Sequence, residues 1–397
     1  MSFFEEIELL PEDPILSLPI HFASDLHEKK VNLGIGAYKD EKGKPVVLEA
    51  VKKAEALVNA QALNKEYLPI EGNAAFIKRI VELIYGRELL GERISAVQTI
   101  GGTAALRLGA EFLVKQGHGD IYISDPSWPN HKNIFQKAGM AIQEYPYYDF
   151  SQGCLKFERL CQAIENMPAG SVILLQAVCH NPTGIDPNRD QWKVISEIIQ
   201  KQKIIPFFDL AYQGFGLNLE EDAWPIRYFA LQGHELFVAS SYSKNMGLYG
   251  ERMGALSWYM STPEIARHVL SQVKQIIRGM YSSPPLHGGR VVAALLESKE
   301  LKMEWAQQLE QMRLRINDMR QELLKRLNEK KLKKDFSFMD KQHGMFSMSG
   351  LTAEQVARIK QDYGIYMLSN GRISIPGLTN NNIDYVADSI AAVLNAP

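Results

Sequence analysis

Three short apolar runs in this chain each end in residues able to do carbonyl chemistry. Val172–Val178 leads into Cys179-His180-Asn181-Pro182-Thr183-Gly184, and Ile204–Phe208 into Asp209-Leu210-Ala211-Tyr212-Gln213-Gly214. Leu236–Ser240 leads into Ser241-Tyr242-Ser243-Lys244-Asn245. A lysine amine condenses with carbonyl carbons to give a Schiff base. If the three runs are parallel strands, their carboxyl ends open on one crevice, where ligands bind in α/β sheets. Asn181, Asp209, Tyr212 and Lys244 would then meet although they are far apart in sequence.

Together these residue types suit pyridoxal phosphate. Such a cofactor needs one lysine for its aldehyde and an acidic partner for its pyridine nitrogen. Lys244 and Asp209 are the candidates, and Asn181 and Tyr212 can hydrogen-bond a phenolic ring oxygen. A phosphate needs a seat of its own. Gly101-Gly102-Thr103 stands immediately before an expected helix, Ala104–Gln116, whose N-terminus offers free N–H groups and the positive end of a dipole. Arg252, eight residues after Lys244, supplies a permanent charge, and Ser241 and Ser243 supply hydroxyls.

The elements around these clusters must place them. From about residue 46 helical stretches (Val51–Asn64, Ala74–Tyr85, Ala104–Gln116) alternate with apolar strand candidates (Ile121–Ser124, Val172–Val178, Ile204–Asp209, Leu236–Ser240). That alternation predicts an α/β fold with a mainly parallel sheet buried on both faces. Pro206 within a strand points to an edge or a bulge. Trp305, Leu309, Met312, Ile316, Met319, Leu323 and Leu327 recur at helical spacing and predict one long amphipathic spine. Smaller elements follow: Phe336–Met339, Gly344–Ser349, a helix near Ala353–Tyr363, and strands around Tyr366 and Arg372–Ile375. The expected organisation is an N-terminal arm (1–12), a large domain (46–311), and a small α/β domain built from 13–45 and 312–397. A chain of 397 residues suits about two domains.

Bulk properties exclude several classes. The formal net charge of -2 leaves no basic footprint for nucleic acid. No apolar run reaches the roughly 18 residues of a membrane span, and the acidic N-terminus is unlike a signal peptide. Three scattered cysteines fit neither a disulfide framework nor a zinc site, so no metal is expected and a cytoplasmic location is.

Four motifs in order, SDPSWPNH (124–131), CHNPTGIDP (179–187), FFDLAYQGF (207–215) and SSYSKNMGLYGER (240–252), resemble the aspartate/aromatic aminotransferases. These are class I, fold type I pyridoxal-phosphate enzymes, and the resemblance spans nearly the whole chain. It implies that Lys244 is the Schiff-base lysine and proton shuttle, that Asp209 pairs with the pyridinium, and that Tyr212 and Asn181 bind the phenolic oxygen. Trp128 resembles the residue stacked on the ring and near the substrate carboxylate. Gly101, Gly102, Thr103, Ser241, Ser243 and Arg252 resemble the phosphate cup. Arg372 resembles the arginine that grips the substrate α-carboxylate, and Gly36 the small residue lying over the substrate. Tyr67 and Arg278 resemble residues lent to a neighbouring subunit, so the implied unit is a homodimer with shared sites. Arg278 would pair with the side-chain carboxylate of aspartate or glutamate, and swing aside for tyrosine or phenylalanine. Gln176 departs from the pattern, standing where histidine is common, and is expected to alter ring electronics modestly.

Each residue also has a plainer reading. Asp209 alone reads as a helix N-cap, Gly101-Gly102 and Asn181-Pro182 as turns, and Trp128 as core. His131 and His180 read as structural histidines or as partners of Asp209, and Arg278 as a surface ion pair. Competing functions are another fold type I pyridoxal-phosphate reaction, a nucleotide-binding oxidoreductase, and a non-catalytic regulator. No G-x-G-x-x-G opens a helix as the oxidoreductase would require, and no length is spare for a DNA-reading domain.

Overall fold

The computed structural model describes residues 2–13 and 15–395. Met1 and Pro14, both placed by the sequence in or beside the arm, lie outside the described residues, as do Ala396 and Pro397 at the end of the expected small domain.

Among the described residues the centre is a seven-stranded sheet. Its strands are β1 (Ile94–Ile100), β2 (Asp120–Asp125), β3 (Ala141–Pro146), β4 (Val172–Gln176), β5 (Ile205–Leu210), β6 (Leu236–Ser241) and β7 (Met253–Tyr259). They lie in the order β1-β7-β6-β5-β4-β2-β3, with β7 antiparallel to both neighbours and every other pairing parallel. Strands β4, β6 and β7 are buried along their whole length, which explains why β4 and β6 read as apolar runs rather than as alternating patterns.

Several sequence boundaries need correction. β4 stops at Gln176, so Ala177 and Val178 already belong to the loop. β5 runs through Leu210, which puts Asp209 inside the strand and removes its reading as a helix cap. The helix expected at Ala104–Gln116 is α1, Gly101–Lys115; Gly101, Gly102 and Thr103 form its first turn instead of preceding it. The helix expected over Val51–Asn64 spans Glu49–Ala60. Pro206 lies on an interior strand without a bulge. It pairs with Ile173 of β4, and pairing with β6 begins only at Phe207, so the missing N–H falls before that ladder starts.

The spine is α2, Lys299–Glu329, and all seven positions of its apolar stripe are buried. Beyond it the small element at Phe336–Met339 is a short 3-10 helix covering Ser337–Lys341. Phe346–Met348 pairs antiparallel with Arg372–Ser374, and Ile365–Tyr366 pairs parallel with Val31–Asn32. These pairings bring Arg372 back towards the amino-terminal segment that carries Gly34 and Gly36.

Candidate functional site

Strand direction alone gathers the candidate residues. β1, β4, β5 and β6 all run the same way and end at one rim, while β7 starts there. The register pairs Ile100 with Met253 and Ser241 with Gly254. Gly101 and Arg252 are therefore neighbours across the rim. Gly101 has φ +75°, and a Cβ there would lie 2.4 Å from an Arg252 guanidinium nitrogen. A Cβ on Gly102 would stand 3.0 Å from the Ser241 side chain. The first turn of α1, Ser241 and Arg252 thus crowd one small region with main-chain N–H groups, a hydroxyl and a cation, while Thr103 is left exposed beside them. Ser243 is buried nearby, and its N–H donates to Ser241 Oγ at 3.3 Å.

A second group lies along the rim. Asp209 accepts from His131 Nε2 at 3.1 Å, and His131 Nδ1 meets Ser127 Oγ at 2.8 Å. Ser127 and His131, from the PSWPNH segment, thus back Asp209 of β5 and fix its carboxylate from behind. Trp128 stands edge-on to His131, with ring centroids 5.2 Å apart. The Lys244 ammonium nitrogen lies 5.1 Å from the Tyr212 ring centroid. Burial lowers the Lys244 pKa from the ordinary lysine value; Asp209 opposes that, and Arg252 and Arg372 add to it. Tyr212 is driven the other way, because burial disfavours its phenolate, although Arg372 partly offsets this.

Asn181 joins this group to the arginine. Its Nδ2 donates to Tyr212 Oη at 3.5 Å and its Oδ1 accepts from Arg372 at 3.1 Å. Arg372 also donates to the Gly34 carbonyl at 2.7 Å, and is only 2% exposed. Its Nε has no partner among the described residues. Among the described residues no carboxylate partners this buried cation, and burial lowers its pKa to about 10. A buried guanidinium with a spare donor is a seat waiting for a carboxylate.

Phe346 escaped the sequence reading. Its ring lies 4.0 Å beneath the Arg372 guanidinium, meets Tyr212 edge-on, and would be struck at 2.7 Å by a Cβ on Gly36. Only the neighbouring glycines hinted at a close approach there. His180, offered as a partner of Asp209, bonds Ser124 and Thr183 instead and stacks on Tyr147. Tyr67 and Arg278 are not drawn into the buried cluster. Tyr67 is 86% exposed and lines a cavity of about 600 Å³ with Gly250, Arg252 and Tyr281. Arg278 is exposed and its side chain donates to Ser282 at 2.5 Å.

The family model for aminotransferase class I and II matches residues 28–390. The chain belongs to that family. This aminotransferase is 45% identical to the aspartate aminotransferase of Escherichia coli (strain K12) over 395 residues, covering 98% of this chain and 100% of that one. Its fold matches the aromatic-amino-acid aminotransferase of Burkholderia pseudomallei, a structure covalently bound to pyridoxal phosphate, at TM-score 0.96 and 45% identity with all of both chains covered. It also matches the aromatic amino acid aminotransferase of Psychrobacter sp. B6, cocrystallised with aspartic acid, at TM-score 0.96 and 41% identity over 99% of this chain and 100% of that one. No helix among the described residues is long and apolar enough to cross a membrane.

The donor set of this aminotransferase fits a phosphorylated pyridine aldehyde. A buried amine of lowered pKa lies within electrostatic reach of a carboxylate held from behind. The two glycines let the Arg252 guanidinium and the Ser241 side chain close onto the first turn of α1, where an anion would meet main-chain N–H groups, a hydroxyl and a cation together.

Proposed function

We propose that this chain moves amino groups between aspartate or aromatic amino acids and 2-oxoglutarate, using pyridoxal phosphate in a ping-pong cycle. Bound at Lys244, the cofactor supplies an electrophilic carbon and a ring that takes up electrons released at the substrate α-carbon. Asp209 would pair with the ring nitrogen, where a carboxylate favours the protonated ring. Tyr212 and Asn181 would donate to the phenolic oxygen, and Trp128 would cover the ring. The first turn of α1 (Gly101, Gly102 and Thr103), with Ser241, Ser243 and Arg252, holds the phosphate.

Arg372 takes the α-carboxylate of the amino acid, and Gly36 leaves room above it. Once the substrate amine has displaced it from the cofactor, the Lys244 amine, kept less basic by burial, would take the α-proton and deliver it to the carbon that the cofactor's aldehyde supplied, on the far side of the substrate nitrogen. Arg278 takes the side-chain carboxylate of a dicarboxylic substrate, in the site of the neighbouring subunit. One observation carries the reading: the Lys244 amine and the Arg372 guanidinium flank Tyr212 and Asn181 at a single rim.

We place the enzyme in the cytoplasm as a homodimer with shared sites. The exposed arm, with Phe3 98% and Leu9 100% accessible, supports a second copy as its resting place. Segments 13–45 and 312–397 make the small domain and 46–311 the large one.

Borohydride treatment of the cofactor-loaded protein should fix a pyridoxyl group on the peptide containing Lys244. Half-reaction rates with aspartate, glutamate, tyrosine and phenylalanine then rank the donors. A protein that yields no such adduct, and whose absorbance is unmoved by glutamate, would remove the proposal.

A further inference from the structure

Gln176 is the last residue of β4 and lies opposite Asp209 of β5 in the ladder, 6% exposed. Its side chain does not act on Asp209. Oε1 accepts the Asn181 N–H at 2.8 Å, and Nε2 donates to the Asn181 carbonyl at 3.0 Å. One carboxamide therefore satisfies both main-chain groups of one residue. The two preceding N–H groups are held in the same way, Cys179 by Asp186 Oδ2 at 2.7 Å and His180 by Asp186 Oδ1 at 2.9 Å. Three successive buried donors thus end on two side chains, in a segment that has no strand or helix partner for them.

The consequence reaches the site through Asn181. Its side chain is shared between Tyr212 and Arg372, so the placing of its main chain sets where both contacts fall. We propose that Gln176 is a positioning residue: its carboxamide clamps the main chain of Asn181, and so aims the group that Arg372 and Tyr212 share. A neutral imidazole at this position has its donor and acceptor on opposite sides of a rigid ring and cannot close the same pair of bonds. A carboxamide also gains and loses no proton, so the clamp holds across the working pH range.

The proposal rests on the amino-transfer reading only for its binding arm. Two variants of the cofactor-loaded protein test it. Gln176→Met keeps the length and removes both bonds; Gln176→Glu keeps the acceptor for the N–H and, when ionised, loses the donor to the carbonyl. Hydrogen–deuterium exchange of the segment 177–186 should speed about tenfold in Gln176→Met, as expected when a buried polar group loses its partner. The affinity for a four-carbon dicarboxylate that cannot react should fall by a similar factor, and Gln176→Glu should lie between wild type and Gln176→Met in both readouts. If Gln176→Met unfolds, Gln176→Glu alone decides, by the same two measurements. Wild-type exchange and affinity in a folded variant that lacks the carbonyl bond would overturn the clamp. A wild-type protein that transfers no amino group would instead strike the reading above, and leave the exchange result to judge Gln176.

Discussion

Two parts of the candidate site are built on opposite principles. Along the rim of the sheet, Lys244, Asp209, Tyr212, Asn181 and Arg372 are tied by contacts within one chain, each held by strand ends or by side chains behind it. At the outer shoulder, Tyr67 stands 86% exposed and Arg278 reaches no further than Ser282. The first part is held in place, and under the proposed function it meets what every substrate has in common. The second is exposed, and under the same proposal it meets what differs between substrates. Fixed polar groups in a dry site are worth far more than the same groups in water, while an exposed charge is screened and contributes little until something covers it.

Substitutions can break this contrast. Lys244→Ala should cost the most: turnover should fall by at least about 10⁴-fold, the upper range for a positioned proton-transfer group, while the melting temperature holds or rises. Stopped-flow half-reactions and a thermal melt measure both. Arg372→Leu should lower kcat/KM by about 10²–10³-fold for every amino acid alike, given roughly 1.5–3 kcal/mol for each charge-assisted bond. Arg278→Ala should cost about 10²-fold on aspartate and under about threefold on phenylalanine, by the same magnitudes. Equal losses on the two substrates would erase the distinction between rim and shoulder. Phe346→Leu should weaken amino acid binding several-fold by removing a face worth about 1–2 kcal/mol to the guanidinium, with kcat little changed.

The subtlest effect is in titration. With the cofactor removed, Lys244 should react with an amine-selective acylating reagent with a midpoint below pH 10.5, because burial disfavours its charged form. Asp209 pulls that pKa upward, so Asp209→Asn should shift the midpoint lower still. A midpoint at the value of an exposed lysine would show that the rim is wetter than its burial suggests.

Much of this was legible in the sequence because parallel strands announce themselves. β4, β5 and β6 are apolar, β-branched or aromatic, and each ends in residues whose chemistry is conspicuous. β7 was not foreseen: Met253–Tyr259 is buried throughout but built around Gly254, Ala255 and Ser257, which carry little strand signal. β1 and β3 were missed too, being half-polar segments; β1 pairs with Met253–Tyr259 far along the chain, and β3 is an edge strand. The roles of Phe346 and Gln176 depend on contacts across more than 100 residues or inside an irregular loop, which no spacing rule encodes. His131 was narrowed to two readings by its motif, and only the geometry chose between them.

The reversal of β7 has one more effect. Because the chain leaves β6 and returns in β7 at the same rim, residues 245–251 alone separate Lys244 from Arg252. Under the proposed placement of the cofactor, that short arc acts as a ruler: it sets the gap between the group that would grip one end of an elongated guest and the group that would grip the other. Lengthening it by a single residue would leave both grips intact and spoil their spacing, so this stretch should tolerate substitution far better than insertion.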